Sequence, residues 1–291
     1  MEELMCPICF KNFDKEIIEF HAENCTEQSI ILHQTVSNYI EYELTDKQKR
    51  AIKFCKTKSK IHSDATRGNV LIRFISLGYE ESDMNKVIEY IKTIKVTINL
   101  NLDTVLKFLV NESHLKNGFE LGRFSAKKTC ARSIWEMNLF KGVYDEITEP
   151  VERVKYGALN IFNEKSGIYA CSGYGNVFFV LKDQVKNRIS FVNGDSSQMM
   201  FHICTFKYCT ALFVHLPDDY LKALILHVLE NKKVEKAQYF NYIEAQIHGL
   251  VRINMDIEIL CIKNSLVKDT NTMSLIEQFC FDNDIKLELI E

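Results

Sequence analysis

Two groups of side chains in this 291-residue sequence have the types and spacing for chemistry. The first is Cys6-Pro7-Ile8-Cys9, followed by His21 and Cys25. Three thiolates and an imidazole form the ligand set of a tetrahedral structural zinc site, and so short a segment buries too little surface to fold unless Zn2+ binding supplies the free energy. The spacing places Cys6 and Cys9 in a tight turn, and His21 and Cys25 one turn apart on a helix over residues 15 to 25. The second group lies in YFNYIEAQIHGLVRINMDIEILCI, from Tyr239 to Ile262. Ile243, Ala245 and Ile247 alternate with Glu244, Gln246 and His248, which predicts a strand with one apolar face and one carrying a carboxylate, an amide and an imidazole. On an inner strand such groups are costly unless they meet water, a ligand or each other, so Glu244 is the first catalytic candidate. The competing reading is a solvated strand face. Gly249 then permits a bend, and residues 256 to 262 resume as a second strand.

These groups must be positioned by an ordinary globular chain. Hydrophobic residues make up 46% and charged residues 26%, a balance that favours a folded core over disorder. The formal net charge of −3 gives no overall attraction to polyanions, and no basic run stands out, so direct nucleic-acid binding is not expected. No apolar run reaches the length of a membrane span, and MEELMCPIC lacks the basic start and apolar middle of a signal peptide. An intracellular protein, cytoplasmic or nuclear, with no membrane partner is the expectation. Cys55, Cys130, Cys171, Cys204, Cys209, Cys261 and Cys280 sit among apolar neighbours, as reduced, buried thiols do.

The fold class expected is α+β: a small zinc finger over residues 1–27, a helical spacer over 28–43, and a mixed helix/strand domain over 44–291. Thr45 is an N-cap candidate, with Ala51, Ile52 and Cys55 at helical spacing. Residues 64 to 73 read as a separate short helix or loop. Ser82 is a cap candidate for a helix whose stripe is Met84, Val87, Ile88, Ile91 and Ile94. KVTINL from Lys95 reads as a strand ending near Asn101, with a helix over residues 104 to 111. A short helix containing Trp135 precedes ERVKYGALNIF, in which Gly157 after Tyr156 marks a close approach of backbone or ligand. Strands are expected at 177–181, 189–192, 212–215 and 285–290, with a helix at 274–281.

CPIC…IIEFHAENC resembles the ubiquitin-binding zinc fingers of DNA-repair and translesion-synthesis proteins. That resemblance implies ubiquitin or a ubiquitinated protein as partner, met by Ile18 and Glu23 on the helix. The segment from Asp14 to Glu23 is acidic, with Asp14, Glu16, Glu19 and Glu23, and would repel phosphates.

LTDKQKRAI, TINLN, WEMNLFKGVYD, ERVKYGALNI, GDS and YIEAQIHGLVRINMDIEIL occur in that order, and with them the chain resembles the family known as domain of unknown function 3626, over about residues 44–291. The motif order is also distantly similar to the ADP-ribosyltransferase fold, a split sheet whose late strand carries the catalytic glutamate. This second resemblance implies a transferase that uses NAD as substrate. Glu244 would grip the nicotinamide-ribose hydroxyl, Tyr156 or alternatively Tyr144 would pack on nicotinamide, and Ser125 and Asn101 would complete the NAD site. Asn101 stands where the relatives carry histidine, and Gln246 lies two residues after the glutamate where toxin-type enzymes place an acceptor-directing residue two before it. The reading from a different class is a non-catalytic ubiquitin-binding adaptor, in DNA repair by analogy of its finger.

Overall fold

The structure is a computed structural model that describes residues 3–5, 12–14, 44–108, 112–122, 126–198, 202–234, 242–267 and 269–291. It divides into two units, Met1–Leu44 and Thr45–Glu291. In the first, β1 (Glu3–Met5) pairs antiparallel with β2 (Asn12–Asp14), Leu4 opposite Phe13, and the two flank the segment holding Cys6 and Cys9. The zinc ligands Cys6, Cys9, His21 and Cys25, the ubiquitin-facing Ile18 and Glu23, and the spacer 28–43 lie outside the described residues, as does Ser125.

The second unit opens with α1, Asp46–Ser76, a helix of 31 residues. Thr45 caps it as the sequence predicts: its hydroxyl accepts from the Gln48 backbone and the Gln48 side chain returns to the Thr45 N–H. The helix does not stop near Cys55 and restart at Asp64. Its buried stripe continues through Ser59, Ser63 and Thr66 to Val70 and Phe74. Those small polar residues break the apolar pattern but not the helix, because Ser59 shares a hydrogen bond of 2.9 Å with Thr205, and Thr66 bonds back to the His62 carbonyl at 2.7 Å. Helix α2 (Glu81–Thr93) starts before Ser82, with Glu80 as N-cap, and buries Met84, Val87 and Ile91.

The remaining elements follow in order: β3 (Val96–Leu100), α3 (Leu102–Phe108), β4 (His114–Leu115), α4 (Ala126–Leu139), β5 (Lys155–Leu159), β6 (Val177–Leu181), β7 (Ile189–Asn193), α5 (Asp218–Glu230), β8 (Ile243–Ile247), β9 (Val251–Arg252), α6 (Ile253–Asp256), β10 (Ile257–Lys263), α7 (Thr270–Asp282) and β11 (Lys286–Ile290). Seven strands form one mixed sheet in the order β11-β10-β6-β3-β5-β8-β7, all neighbours antiparallel except β10 and β11. The unit is therefore α+β with a mixed sheet. Residues 212–215 are not a strand: Thr210–Val214 is a buried 3-10 turn whose carbonyls are gathered by Arg73 of α1. A short buried apolar run fits either conformation, and here the helix beside it supplies the donors.

One face of the sheet carries the main core, where Ile98, Leu159, Phe179, Phe191, Ala245 and Ile247 pack with α2, α5 and the second half of α1. The opposite face of β5-β8-β7 is covered in part by a second cluster, with Ala51, Cys55, Phe140, Tyr144 and Val192. Among the described residues no helix is long and apolar enough to cross a membrane.

Candidate active site

Strands β3, β5 and β8 are successive neighbours in the sheet, so their residues come together although they are far apart in sequence. β3 and β5 share only two register pairs, Val96–Leu159 and Thr97–Ala158. Past Thr97 they part, and a cleft of about 380 Å³ opens there, a size typical of small-molecule sites. Gly157 permits the contact at the base of the cleft. A Cβ on it would lie 2.5 Å from the Thr97 carbonyl oxygen, so the close approach predicted at this glycine is that of the neighbouring strand.

Asn101, Tyr156 and Glu244 all line this cleft. Asn101 is exposed at the end of β3, and its carbonyl accepts from the N–H groups of Thr104 and Val105 as α3 begins. Tyr156 pairs across the strands with Gln246, and Ala158 with Glu244, which puts Tyr156 and Glu244 on one sheet face, with the small Ala158 on one side of the glutamate and Val192 of β7 on the other.

Glu244 is buried, 6% exposed, so the solvated-face reading does not hold. Burial pushes its pKa above the ordinary glutamate value, and Asp195 adds to this. Hydrogen bonds from the Ser196 hydroxyl, Gln246 and the Ser196 backbone oppose the shift. The Gln246 amide donates to Glu244 Oε1 at 2.9 Å while its Oε1 accepts from the Ser190 hydroxyl at 3.0 Å. Ser190 in turn lies 3.4 Å from His248 Nε2, and His248 Nδ1 lies 2.8 Å from the Tyr144 hydroxyl. Once Ser190 donates to Gln246, the serine oxygen accepts from the imidazole Nε2–H, which leaves Nδ1 to accept from Tyr144. His248 is fully enclosed and its pKa falls to about 3, mainly by burial and then by the charge of Arg188, so the ring is neutral. A buried, one-directional chain thus ends on the glutamate.

Tyr144 is accordingly not beside the cleft. It is stacked on His248, with ring centroids 5.8 Å apart, in the cluster beneath the strand. Of the two tyrosines named from the resemblance, Tyr156 is the one that lines the cleft. Its hydroxyl donates to Glu136 Oε1 at 3.1 Å, and Arg132 stands 5.9 Å from its ring centroid. Glu136 is buried and pairs with buried Arg153 at 2.8 Å; burial raises the Glu136 pKa against the pull of that guanidinium. Burial first, then the Glu136 and Glu244 charges, keep the Tyr156 phenol un-ionised.

Four further cleft residues, Tyr174, Asp195, Ser196 and Tyr242, had no role assigned from the sequence, although Asp195 and Ser196 lie in its GDS motif. Ser196 holds Glu244 through both side chain and backbone. Tyr174 and Tyr242 meet hydroxyl to hydroxyl at 2.9 Å, and Tyr242 reaches Asp195 at 3.4 Å. The one signal available was the Gly194-Asp195-Ser196 turn after β7, a polar stop on a buried strand. Among the described residues no group of three or more His, Cys, Asp or Glu side chains is arranged to hold a metal ion.

Residues 96–234 match the family model described as Protein of unknown function (DUF3626). The match runs from β3 through α5 and includes Asn101 and Tyr156, and it ends before Glu244. It is narrower than the span of 44–291 over which the motifs were read. No curated protein sequence matches the chain.

Proposed function

We propose that Thr45–Glu291 is an NAD-dependent ADP-ribosyltransferase-like domain, joined to an amino-terminal zinc finger that engages ubiquitin or a ubiquitinated protein. The observation that carries the reading is the convergence of Asn101, Tyr156 and Glu244, from three neighbouring strands, on one cleft. Tyr156, oriented through its hydroxyl by Glu136, would offer its ring to nicotinamide. Glu244, held by Ser196 and Gln246, would accept a hydrogen bond from the ribose hydroxyl and answer the positive charge that builds as the bond between C1′ and the nicotinamide nitrogen breaks. Nicotinamide leaves neutral with the bonding electron pair; the acceptor then bonds C1′ and gives up a proton. Asn101 would bind by donating and accepting hydrogen bonds, without the charge a histidine could carry.

Calorimetric titration of NAD into the full chain, followed by a nicotinamide-release assay, tests this: saturable binding and release are expected, and absence of both overturns it. One observation favours the adaptor reading instead. The Gln246 amide is engaged by Glu244 and Ser190, so it is not aimed at an acceptor. Absence of any NAD-dependent signal with ubiquitin binding retained would select that alternative.

The β1–β2 hairpin flanking Cys6 and Cys9 supports the finger. One Zn2+ per chain, lost in Cys6→Ser while residues 45–291 stay folded, is the expected result of elemental analysis; unchanged stoichiometry would refute the ligand set.

A further inference from the structure

The net charge of −3 is unevenly divided. Residues 1–44 hold nine acidic and two basic side chains, leaving 34 basic against 30 acidic over residues 45–291. Much of that excess lies at the start of α1, where residues 46–60 contain seven lysines and arginines and one acid, Asp46. Lys53, Lys56 and Lys60 fall at i, i+3 and i+7, hence on one face. Each is exposed, and none has a hydrogen bond or ion pair from its side chain among the described residues.

This row borders a second groove of about 720 Å³, at the His248 end of β8 and away from the cleft at Glu244. Lys56 and Lys60 form one wall; Lys186, Arg188 and Lys207 stand on the elements across from them, and Asp64 is the one carboxylate in the lining. Two of these cations are fixed in place. Lys186 bonds Asp183 at 3.0 Å and lies over the Phe206 ring, and Arg188 bonds Asp256 at 2.9 Å. Lys207 is exposed and sits 5.4 Å from the ring centroid of half-buried Tyr208.

We propose that this basic track binds the backbone of a single-stranded nucleic acid. The cations recur along the helix and extend past the groove to Lys53, so they suit a repeating, elongated anion better than a compact one. The groove is concave, which admits a strand and leaves a flat bilayer in touch with the rim alone. Tyr208 adds an aromatic ring on which a base can stack. The inference stands independently of the ADP-ribosyltransferase reading.

The test is fluorescence anisotropy of a labelled twelve-nucleotide oligouridylate with the full chain. If Lys53, Lys56, Lys60 and Lys207 each neutralise one phosphate, affinity should fall roughly fifty-fold between 50 and 200 mM salt. Lys53→Glu with Lys56→Glu and Lys60→Glu should weaken binding by roughly thirty-fold or more, and Lys207→Glu alone by several-fold, with unfolding temperature unchanged. The proposal is overturned by absence of salt-dependent binding, by binding that the triple variant leaves intact, or by retention on phosphatidylserine vesicles through these lysines with no oligonucleotide binding.

Discussion

Glu244 and His248 lie four residues apart on one side of the same extended segment, and the protein gives them opposite environments. Glu244 sits in the sheet between Ala158 and Val192 and lines the cleft, while hydrogen bonds from Gln246 and from the Ser196 hydroxyl and backbone hold it. Above His248 lie Phe140, Tyr144 and Cys55; the ring centroid of Phe140 is 5.2 Å away, and the imidazole is locked neutral. The alternation of polar residues is the same at both ends. What packs across from each decides which group meets the cleft and which is enclosed, and the Gln246–Ser190 bridge links the two.

The largest effect should come from the open end. Glu244→Gln is expected to cut nicotinamide release by roughly 10²–10³-fold with fold and NAD affinity retained, because the carboxylate is needed only where charge develops. Since burial raises the Glu244 pKa, release by the wild type should rise with pH through a midpoint above the ordinary glutamate value, and Glu244→Gln should lose that limb. Release at the wild-type rate would mean the two ends do not differ in function.

The closed end should answer in stability. His248 has a folded pKa of about 3, below the ordinary value of 6.5, so the unfolded chain takes up the proton first as pH falls. Its contribution is present above about pH 6.5 and is lost progressively toward pH 3, on the order of 5 kcal/mol in all. Urea unfolding between pH 7 and pH 4 should therefore show a shallower acid loss in His248→Gln than in wild type, together with a lower stability at neutral pH of about 1–3 kcal/mol. Equal pH slopes would place His248 in contact with water.

A smaller change tests the geometry between the ends. Gly157→Ala should cost about 1–3 kcal/mol in denaturant unfolding, because its methyl group would press on the Thr97 carbonyl. Smallest of all, Tyr144→Phe should cost about 1 kcal/mol and leave NAD affinity unchanged. A loss of affinity would return Tyr144 to the list of residues that touch the ligand.

Periodicity made much of this architecture legible. The alternation in β8, the stripe of α2 and the β-branched run of β3 each marked the element and its apolar face, although in β8 the polar face is buried as well. The middle of α1 was hidden because Ser59, Ser63 and Thr66 replace apolar residues on its buried side, and the 3-10 turn at 210–214 was hidden because its hydrogen bonds come from Arg73, far away in sequence. Of the cleft residues, Glu244 was singled out by the alternation of β8, whereas Asn101 and Tyr156 were named only through the motif resemblance; all three line the cleft. Ser196 was not, since serine in a turn is commonplace and only the folded register brings it to the carboxylate. The basic face of α1 was overlooked for a similar reason: a charge summed over the chain says nothing about which side of a helix carries it.

The two-pair junction between β3 and β5 has a mechanical consequence. Four strands on one side and three on the other form two stiff plates joined along a narrow line, with the cleft as the gap beside the joint. A molecule seated between Asn101 on one plate and Glu244 on the other spans that gap and acts as a strut. Occupancy should then slow amide exchange in β3 and β5 together, on both sides of the joint, while the outer strands keep their rates.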